Sequence, residues 1–504
     1  MARIKKISFT ASLVFYILII GFFLRIYRVN DVLGFYYDQG RDALVIWDFL
    51  YEGKLFLIGP TTGIAGIFRG PFYYYLIAPF YFLGGGDPVW PAIFLALLSI
   101  ASFLLLFYLA SLSQSKTTGI FALLIACFSF YIVMASRWLS NPTPMLFLSM
   151  CLVWLMYLIV LGRRKAWVGI AFVLGLSLFH FGSSGELFYF PAVGLFAIWQ
   201  RKKLPDMKIF LISLFSFFVS FVPLILFDIR HDGILRNNIY KFFVEEKSFR
   251  GLTSYIFETR SKFLFDAFFN KIFHWRKTYE NLSIVVISLY FFLNLKEFWK
   301  NQILRICIIL LSFAIAGFYF FQGNYGNVYD YYLTGYYLIF ILLFSFVIGH
   351  IWKKSIPGKA FVLVFFYLFF VNNVPVIWSK INDQVDGPQS VALKNEMQAV
   401  SWVYKDSALR DGGKFNLDIY VPPVIPYAYD YLFRWCPKSS RCVGDDRIGV
   451  LIKERTNLLY TIYEVDPPHP ERLEAWLERQ ESVGVVEEEV RFGGITVQRR
   501  TRYN

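Results

Sequence analysis

The residues able to do chemistry gather in five polar segments, each set at the edge of an apolar run. The first holds Tyr37-Asp38-Gln39-Gly40-Arg41-Asp42 and later Arg69-Gly70-Pro71-Phe72-Tyr73-Tyr74-Tyr75. The second holds Arg137-Trp138-Leu139-Ser140-Asn141-Pro142, and the third runs from His180 to Glu186. The fourth opens with Asp228-Ile229-Arg230-His231, and the fifth is Tyr329-Asp330-Tyr331-Tyr332. A carboxylate followed by several cations at one depth suits a particular task. It can take a proton from a hydroxyl nucleophile while the cations stabilise a departing phosphate.

The elements that hold these residues are set by composition. The chain has 504 residues, 57% hydrophobic and only 17% charged. Soluble domains carry about 25% charged residues, and the mean hydropathy here is +0.50. A water-soluble enzyme, a disordered chain and a disulfide scaffold are excluded. The net charge of +14 points to anionic headgroups rather than nucleic acid, because Lys and Arg collect in short loops between apolar runs.

Eleven membrane helices are expected. The first is Ile7–Leu24, an uncleaved helix with its N-terminus in the cytoplasm, and ten more span roughly 89–112, 118–135, 144–161, 166–180, 187–199, 209–227, 282–295, 303–321, 334–350 and 359–377. Phe72–Leu83 is read as an outer interfacial segment. If it crossed, the loops with Lys116, Arg163-Arg164-Lys165 and Arg201-Lys202-Lys203 would fall outside, against the positive-inside rule. The outer side then holds loops 28–88 and 228–281, and the second of these is basic against the rule. Residues 1–378 form the membrane domain and 379–504 an extracytoplasmic α+β domain. In that tail 390–405, 427–435 and 470–479 read as helices and 415–421 and 457–465 as strands. Residues 483–492 and 495–499 read as a hairpin around Gly493-Gly494. Cys436 and Cys442, six apart on the oxidising side, are expected to form a disulfide.

An aspartate soon after the first membrane helix, followed by a basic-x-Pro-aromatic-Tyr-Tyr segment, resembles the GT-C membrane glycosyltransferases. Within that group it looks most like the aminoarabinose transferase and protein O-mannosyltransferase branches. Asp38-Gln39 matches the group's Asp-Glu pair with Gln for Glu, and Arg69-Gly70-Pro71-Phe72 matches its Lys-Pro-Pro-aromatic segment. The second outer loop offers Asn141 where the group often has an acid, which removes a ligand from a metal site. The resemblance implies a polytopic α-helical GT-C fold and a polyprenyl-phosphate-linked sugar as donor. The acceptor would be a lipid, glycan or protein hydroxyl on the outer face of the cytoplasmic membrane. It implies Asp38 as the base, with Arg69, Arg137, His180 and Arg230 as candidates for the donor phosphate or sugar. Asp42, Asn141, Glu186 and Asp330 take supporting places. One displacement with one base inverts the anomeric carbon. The transfer is of a hexosyl or pentosyl group, and Mg or Mn is allowed but not required. No Gly-rich phosphate loop and no Asp-x-Asp motif points to a nucleotide sugar.

Each residue also has a plainer reading. Asp38 would N-cap a helix over Gln39–Leu50, Asp42 would be a solvated face or a pair with Arg41, and Arg69 would snorkel to headgroups. Arg137 has the same alternative as Arg69. His180 would be a packing residue, Arg230-His231 a helix terminator, Tyr73–Tyr75 and Tyr329–Tyr332 interface anchors, and Asn141 a helix cap ahead of Pro142. The rival functions are a transporter or flippase, or a polymerase or ligase of lipid-linked glycans. A transporter usually carries ionisable groups in mid-membrane and matching halves, and neither is evident here.

Overall fold

The computed structural model describes residues 9–62, 66–246, 248–323, 326–382, 387–410, 412–422, 425–443 and 448–503. The chain begins with α1 (Phe9–Ile26) and a single turn, α2 (Val29–Val32). The first polar segment folds as α3 (Tyr37–Glu52) and a short apolar helix, α4 (Phe72–Leu83). Then come α5 (Val89–Ser113), α6 (Lys116–Phe128), α7 (Phe130–Arg137), α8 (Met145–Val160), α9 (Ala166–Leu176), α10 (Tyr189–Trp199), α11 (Met207–Val219) and α12 (Val222–Arg230). The long basic loop carries α13 (Ile234–Tyr240) and α14 (Ser254–Phe269). The helical part closes with α15 (Thr278–Leu293), α16 (Leu295–Phe298), α17 (Gln302–Phe320), α18 (Thr334–Lys354) and α19 (Ile356–Asn382).

Among the described residues five helices are long and apolar enough to cross a membrane, or seven if two bent pairs each count as one span. The other apolar helices are shorter, and α4 has only 12 residues. At 1.5 Å per residue that is about 18 Å, against ~30 Å of hydrocarbon. The helix α18 lies at the centre, packed against α6, α8, α17 and α19.

Two runs expected as continuous helices are broken. The α6–α7 pair bends by 63° and the α11–α12 pair by 51°. In lipid each freed backbone group needs a protein partner, and the first break supplies them. The Ser129 hydroxyl accepts the Ile132 N–H at 3.4 Å, and Asn373 Oδ1 accepts the Phe130 N–H at 2.8 Å. Arg25 donates to the Ala126 and Cys127 carbonyls at 2.9 and 3.2 Å. The second break follows Ser220, with Pro223 near the start of α12.

The C-terminal unit is α+β, as expected. It comprises α20 (Leu393–Ala408), β1 (Lys414–Tyr420), α21 (Tyr427–Trp435), β2 (Val450–Leu451), β3 (Leu458–Glu464), α22 (Pro470–Glu481), β4 (Gly484–Phe492) and β5 (Ile495–Arg502). Its sheet runs β2-β1-β3-β5-β4. The strand β1 is parallel to β2 and β3, and β5 is antiparallel to β3 and β4. The β4–β5 turn places Gly493 at φ 62°, a conformation that suits glycine. The two-residue β2 was not expected. Cys436 and Cys442 are joined by a disulfide.

This unit grips the first polar segment. Arg434 pairs with Asp48 at 2.6 Å and with Glu52. Trp435 Nε1 donates to the Gly85 carbonyl at 2.9 Å, Tyr431 bonds Gly86, and Arg441 pairs with Asp87. A Cβ on Gly40 would lie 2.3 Å from the Ala428 nitrogen, so only glycine lets α3 approach α21 this closely.

The polar repair at the α6–α7 break yields a prediction. Asn373 also donates to the Ile272 carbonyl at 2.9 Å. Asn373→Leu orphans the Phe130 N–H and the Ile272 carbonyl, and is expected to cost about 1–3 kcal/mol for each group left unpaired. A melting curve of the purified protein in detergent reads this as a lowered Tm. An unchanged Tm would show that the break has other partners.

Candidate active site

The helix α3 starts one residue earlier than Asp38. Tyr36 is its N-cap, and the Gln39 side-chain oxygen accepts the Tyr36 N–H at 3.2 Å. Asp38 therefore does not cap the helix. It sits in the first turn, where the helix dipole favours a negative charge, with its side chain 58% exposed. Arg41 Nη1 holds Asp38 Oδ1 at 2.8 Å. Oδ2 has no partner among the described residues.

Asp42 is not on a solvated face. It is 6% exposed and takes hydrogen bonds from Arg41 Nη2 at 2.7 Å and the Tyr74 hydroxyl at 2.8 Å. Burial pushes its carboxyl up to about 6, against the pull of Arg41 and Tyr74. The tyrosine run is correspondingly not an interface belt: Tyr73 and Tyr74 are buried, and Tyr75 donates to the Phe56 carbonyl at 2.9 Å. The sequence Asp42–Arg41–Asp38 is a chain of contacts that starts in the dry interior and ends at the solvent-facing carboxylate.

Arg69 is 9% exposed, and its Nε has no hydrogen-bond partner. No ion pair of Arg69 is found among the described residues. It is held from both sides by backbone. Gly59 N–H donates to the Arg69 carbonyl at 2.7 Å, and the next residue, Gly70, donates to the Phe179 carbonyl at 2.7 Å. Burial lowers its pKa, opposed by the charges of Glu186, Tyr331, Tyr332 and Asp38. Asp38, Glu186 and Arg69 thus share one electrostatic field.

The other candidates have structural duties. His180 is fully buried: its Nε2 meets the Ser220 carbonyl at 2.7 Å, its Nδ1 faces the Phe72 N–H at 3.4 Å, and its ring lies edge-on to Phe72. A Cβ on Gly70 would lie 1.9 Å from the His180 ring, so the histidine is a strut under the Arg69 segment with no face left for a donor. Arg137 caps the end of α1, donating to the Leu24, Arg25 and Tyr27 carbonyls at 2.8–3.1 Å. Arg230 is exposed at the end of α12 and makes no hydrogen bond or ion pair among the described residues. Asn141 caps no helix: α8 begins at Met145, and Asn141 Nδ2 donates to the Phe181 carbonyl at 3.0 Å. Glu186 is buried, accepting the Ser183 N–H at 2.6 Å and the Gly335 N–H at 3.3 Å.

Sequence reasoning missed Lys271. It is buried, 2.6 Å from Asp330, and its ammonium lies over the rings of Tyr337 and Tyr131 at 4.2 and 4.7 Å. Burial lowers its pKa and Asp330 raises it. In the sequence it is one cation in a crowded basic loop, with no spacing to distinguish it. A cavity of about 440 Å³ lies beside this pair, walled by Arg137, Asp330, Tyr331 and Lys380 among others.

A metal does not fit beside Asp38. Among the described residues no three His, Cys, Asp or Glu side chains are placed to hold one. Asp38 and Asp42 both face the Arg41 cation, and Asn141 offers a donor to Phe181 rather than a negative charge.

Apolar helices, a polar first segment with a short helix bearing an exposed aspartate, and a C-terminal α+β unit give the chain an ArnT-like fold. The chain is similar over 97% of its length to 97% of ArnT from Cupriavidus metallidurans bound to undecaprenyl phosphate, with a TM-score of 0.59 and 10% identity. The apo state of ArnT from the same organism gives a TM-score of 0.58 at 10% identity, again over 97% of each chain. The Archaeoglobus fulgidus oligosaccharyltransferase in complex with Zn and sulfate gives 0.50 at 10% identity, over 94% of this chain and 71% of that one. Residues 69–227 match the dolichyl-phosphate-mannose-protein mannosyltransferase family. A search of curated proteins finds no match. The chain resembles the ArnT and protein mannosyltransferase branches, as its motifs led us to expect.

The contact chain through Arg41 gives the test of this site. Asp42→Asn keeps the hydrogen bond from Tyr74 but removes the buried charge that anchors Arg41. In an assay of sugar transfer from a polyprenyl-phosphate donor the rate is expected to fall several-fold, and by less than for Asp38→Asn, because Asp42 reaches Asp38 only through Arg41. Initial rates of the purified variants measure it. An effect of Asp42→Asn larger than that of Asp38→Asn would make Asp42 the base.

Proposed function

We propose that this protein transfers a sugar from a polyprenyl-phosphate-linked donor to an acceptor hydroxyl at the outer face of the cytoplasmic membrane. The observation that carries this reading is Arg69: a buried guanidinium with no anionic contact among the described residues, in the same field as an exposed carboxylate. A phosphate of the donor completes its coordination. The undecaprenyl phosphate bound to ArnT is a ligand of that chemistry.

In this reading Asp38 Oδ2 takes the acceptor proton as the acceptor oxygen attacks the anomeric carbon. The bond from that carbon to the phosphate oxygen breaks, and the polyprenyl phosphate leaves with its new negative charge on Arg69. Arg41 fixes the carboxylate in place. One displacement inverts the sugar. The N-terminus is then cytoplasmic, residues 1–378 form the membrane domain with loops 28–88 and 228–281 outside, and 379–504 lie outside. The acceptor is a lipid, glycan or protein, and the sugar is a hexose or pentose.

The experiment incubates purified protein with a panel of polyprenyl-phosphate sugars and follows release of polyprenyl phosphate. Asp38→Asn is expected to lower transfer by about 10²-fold or more, the value of general-base assistance, at unchanged yield and Tm. Arg69→Gln is expected to lower it by about 10–100-fold through loss of a charge-assisted hydrogen bond. Transfer by Asp38→Asn within a few-fold of wild type would remove Asp38 from the mechanism.

A further inference from the structure

The first turn of α3 rests on the C-terminal unit over a small cavity of about 20 Å³, room for one water. Tyr36 and Tyr37 wall it from the α3 side, and Glu396 of α20 and Glu464 of β3 wall it from below. Glu396 is fully buried, and neither of its carboxyl oxygens has a hydrogen-bond partner. Glu464 is 7% exposed and accepts the Tyr429 hydroxyl of α21 at 2.9 Å. Val421, Pro422, Ile425, Pro426 and Ala428 complete the lining and carry no titratable side chain. Among the described residues no Arg, Lys or His lines the cavity. The titratable groups facing Glu396 are Glu464, Tyr429 and Tyr36, all neutral or negative.

Two carboxyl groups in one dry place cannot both ionise without a counter-charge. We propose that Glu396 and Glu464 form a protonated carboxyl pair that seats the Asp38-bearing turn of α3 on the C-terminal unit and loosens that seat on losing its proton. The pair consists of positioning residues, acting on Asp38 through Tyr36 and Tyr37. Its role in transfer rests on the function proposed above, whereas its role in stability does not.

Burial holds Glu396 well above the usual carboxylate range, and the charge of Glu464 adds to this. Burial pushes Glu464 up to about 7, with the Tyr429 hydroxyl pulling the other way. Raised carboxyl values mean that the folded state holds more protons than the unfolded one. Their contribution to stability is full below the ordinary Glu value of about 4.3 and is lost as pH rises through the folded values.

The test uses the full chain in detergent, melted from about pH 5 to about pH 9, as wild type, Glu396→Gln and Glu464→Gln. Gln mimics the neutral acid at every pH. Wild type is expected to lose Tm as pH rises from about 5 through 7, the window between the unfolded Glu value and the folded value of Glu464, and each Gln variant to lose less and to melt above wild type at the alkaline end. Either variant suffices if the other does not fold. Parallel curves for all three overturn the pair. So does a Tm gain with Ca²⁺ or Mg²⁺ at alkaline pH in wild type that Glu396→Gln lacks, because a cation then fills the place of the proton. In the transfer assay Glu396→Gln is expected to move the alkaline limb of the rate upward by about 1 pH unit at a similar neutral rate. An unmoved limb overturns the positioning role, while absence of transfer in wild type overturns only the function and leaves the melting result standing.

Discussion

A guanidinium buried without an anionic contact among the described residues is the constraint on which the candidate site turns. Moving such a charge out of water costs several kcal/mol. Glu186 offsets part of that cost from a distance, but its oxygens are held by the Ser183 and Gly335 N–H groups. It cannot collapse onto Arg69. The backbone on either side of Arg69 is tied at Gly59 and Gly70, and a side chain at either glycine would strike its neighbour. The charge is therefore fixed in place before any ligand arrives, which makes it effective toward charge that develops during a reaction.

That fixing depends on an irregularity in the membrane helices. A continuous helix through Ser220 would use its carbonyl internally. The break after it leaves the carbonyl to His180, and His180 in turn supports Gly70 and Phe72. The α6–α7 break works in the same way at the other side of the bundle. Arg25, Ser129 and Asn373 satisfy it, and Arg137 at the end of α7 reaches the carbonyls at the end of α1. Non-helical backbone at membrane depth is tolerated only where protein surrounds it, and both breaks lie where polar segments are held by side chains.

The apolar runs and the α+β tail were legible because hydropathy and strand alternation are local signals. The helix breaks were not: neither Ser129 nor Ser220 interrupts the hydropathy of its run, and Asn373, which satisfies the first break, lies 243 residues from Phe130. At the candidate site the sequence singled out Asp38 and Arg69 through the motif they resemble. The duties of His180, Arg137 and Asn141 were not legible, since each is set by a carbonyl distant in sequence. Lys271 and the Glu396–Glu464 pair were invisible for the same reason. A lone lysine in a basic loop, or a glutamate on an amphipathic helix, reads as solvated until the fold buries it.

The two departures from the GT-C motif have one physical account. Gln39 stands where the group has Glu, and Asn141 where it often has an acid. Both amides donate, Gln39 Nε2 to the Leu139 carbonyl at 3.1 Å and Asn141 Nδ2 to the Phe181 carbonyl at 3.0 Å. A carboxylate cannot donate when ionised. An acid at either position would leave a carbonyl unpaired. The amides instead stitch the first outer segment to the second, and the second to the third. Arg41 then supplies the positive charge beside Asp38 from within the same helical turn. Two amides and one fixed cation thus surround the first polar segment: Arg41 bridges Asp38 and Asp42, and the amides hold the backbone beside them.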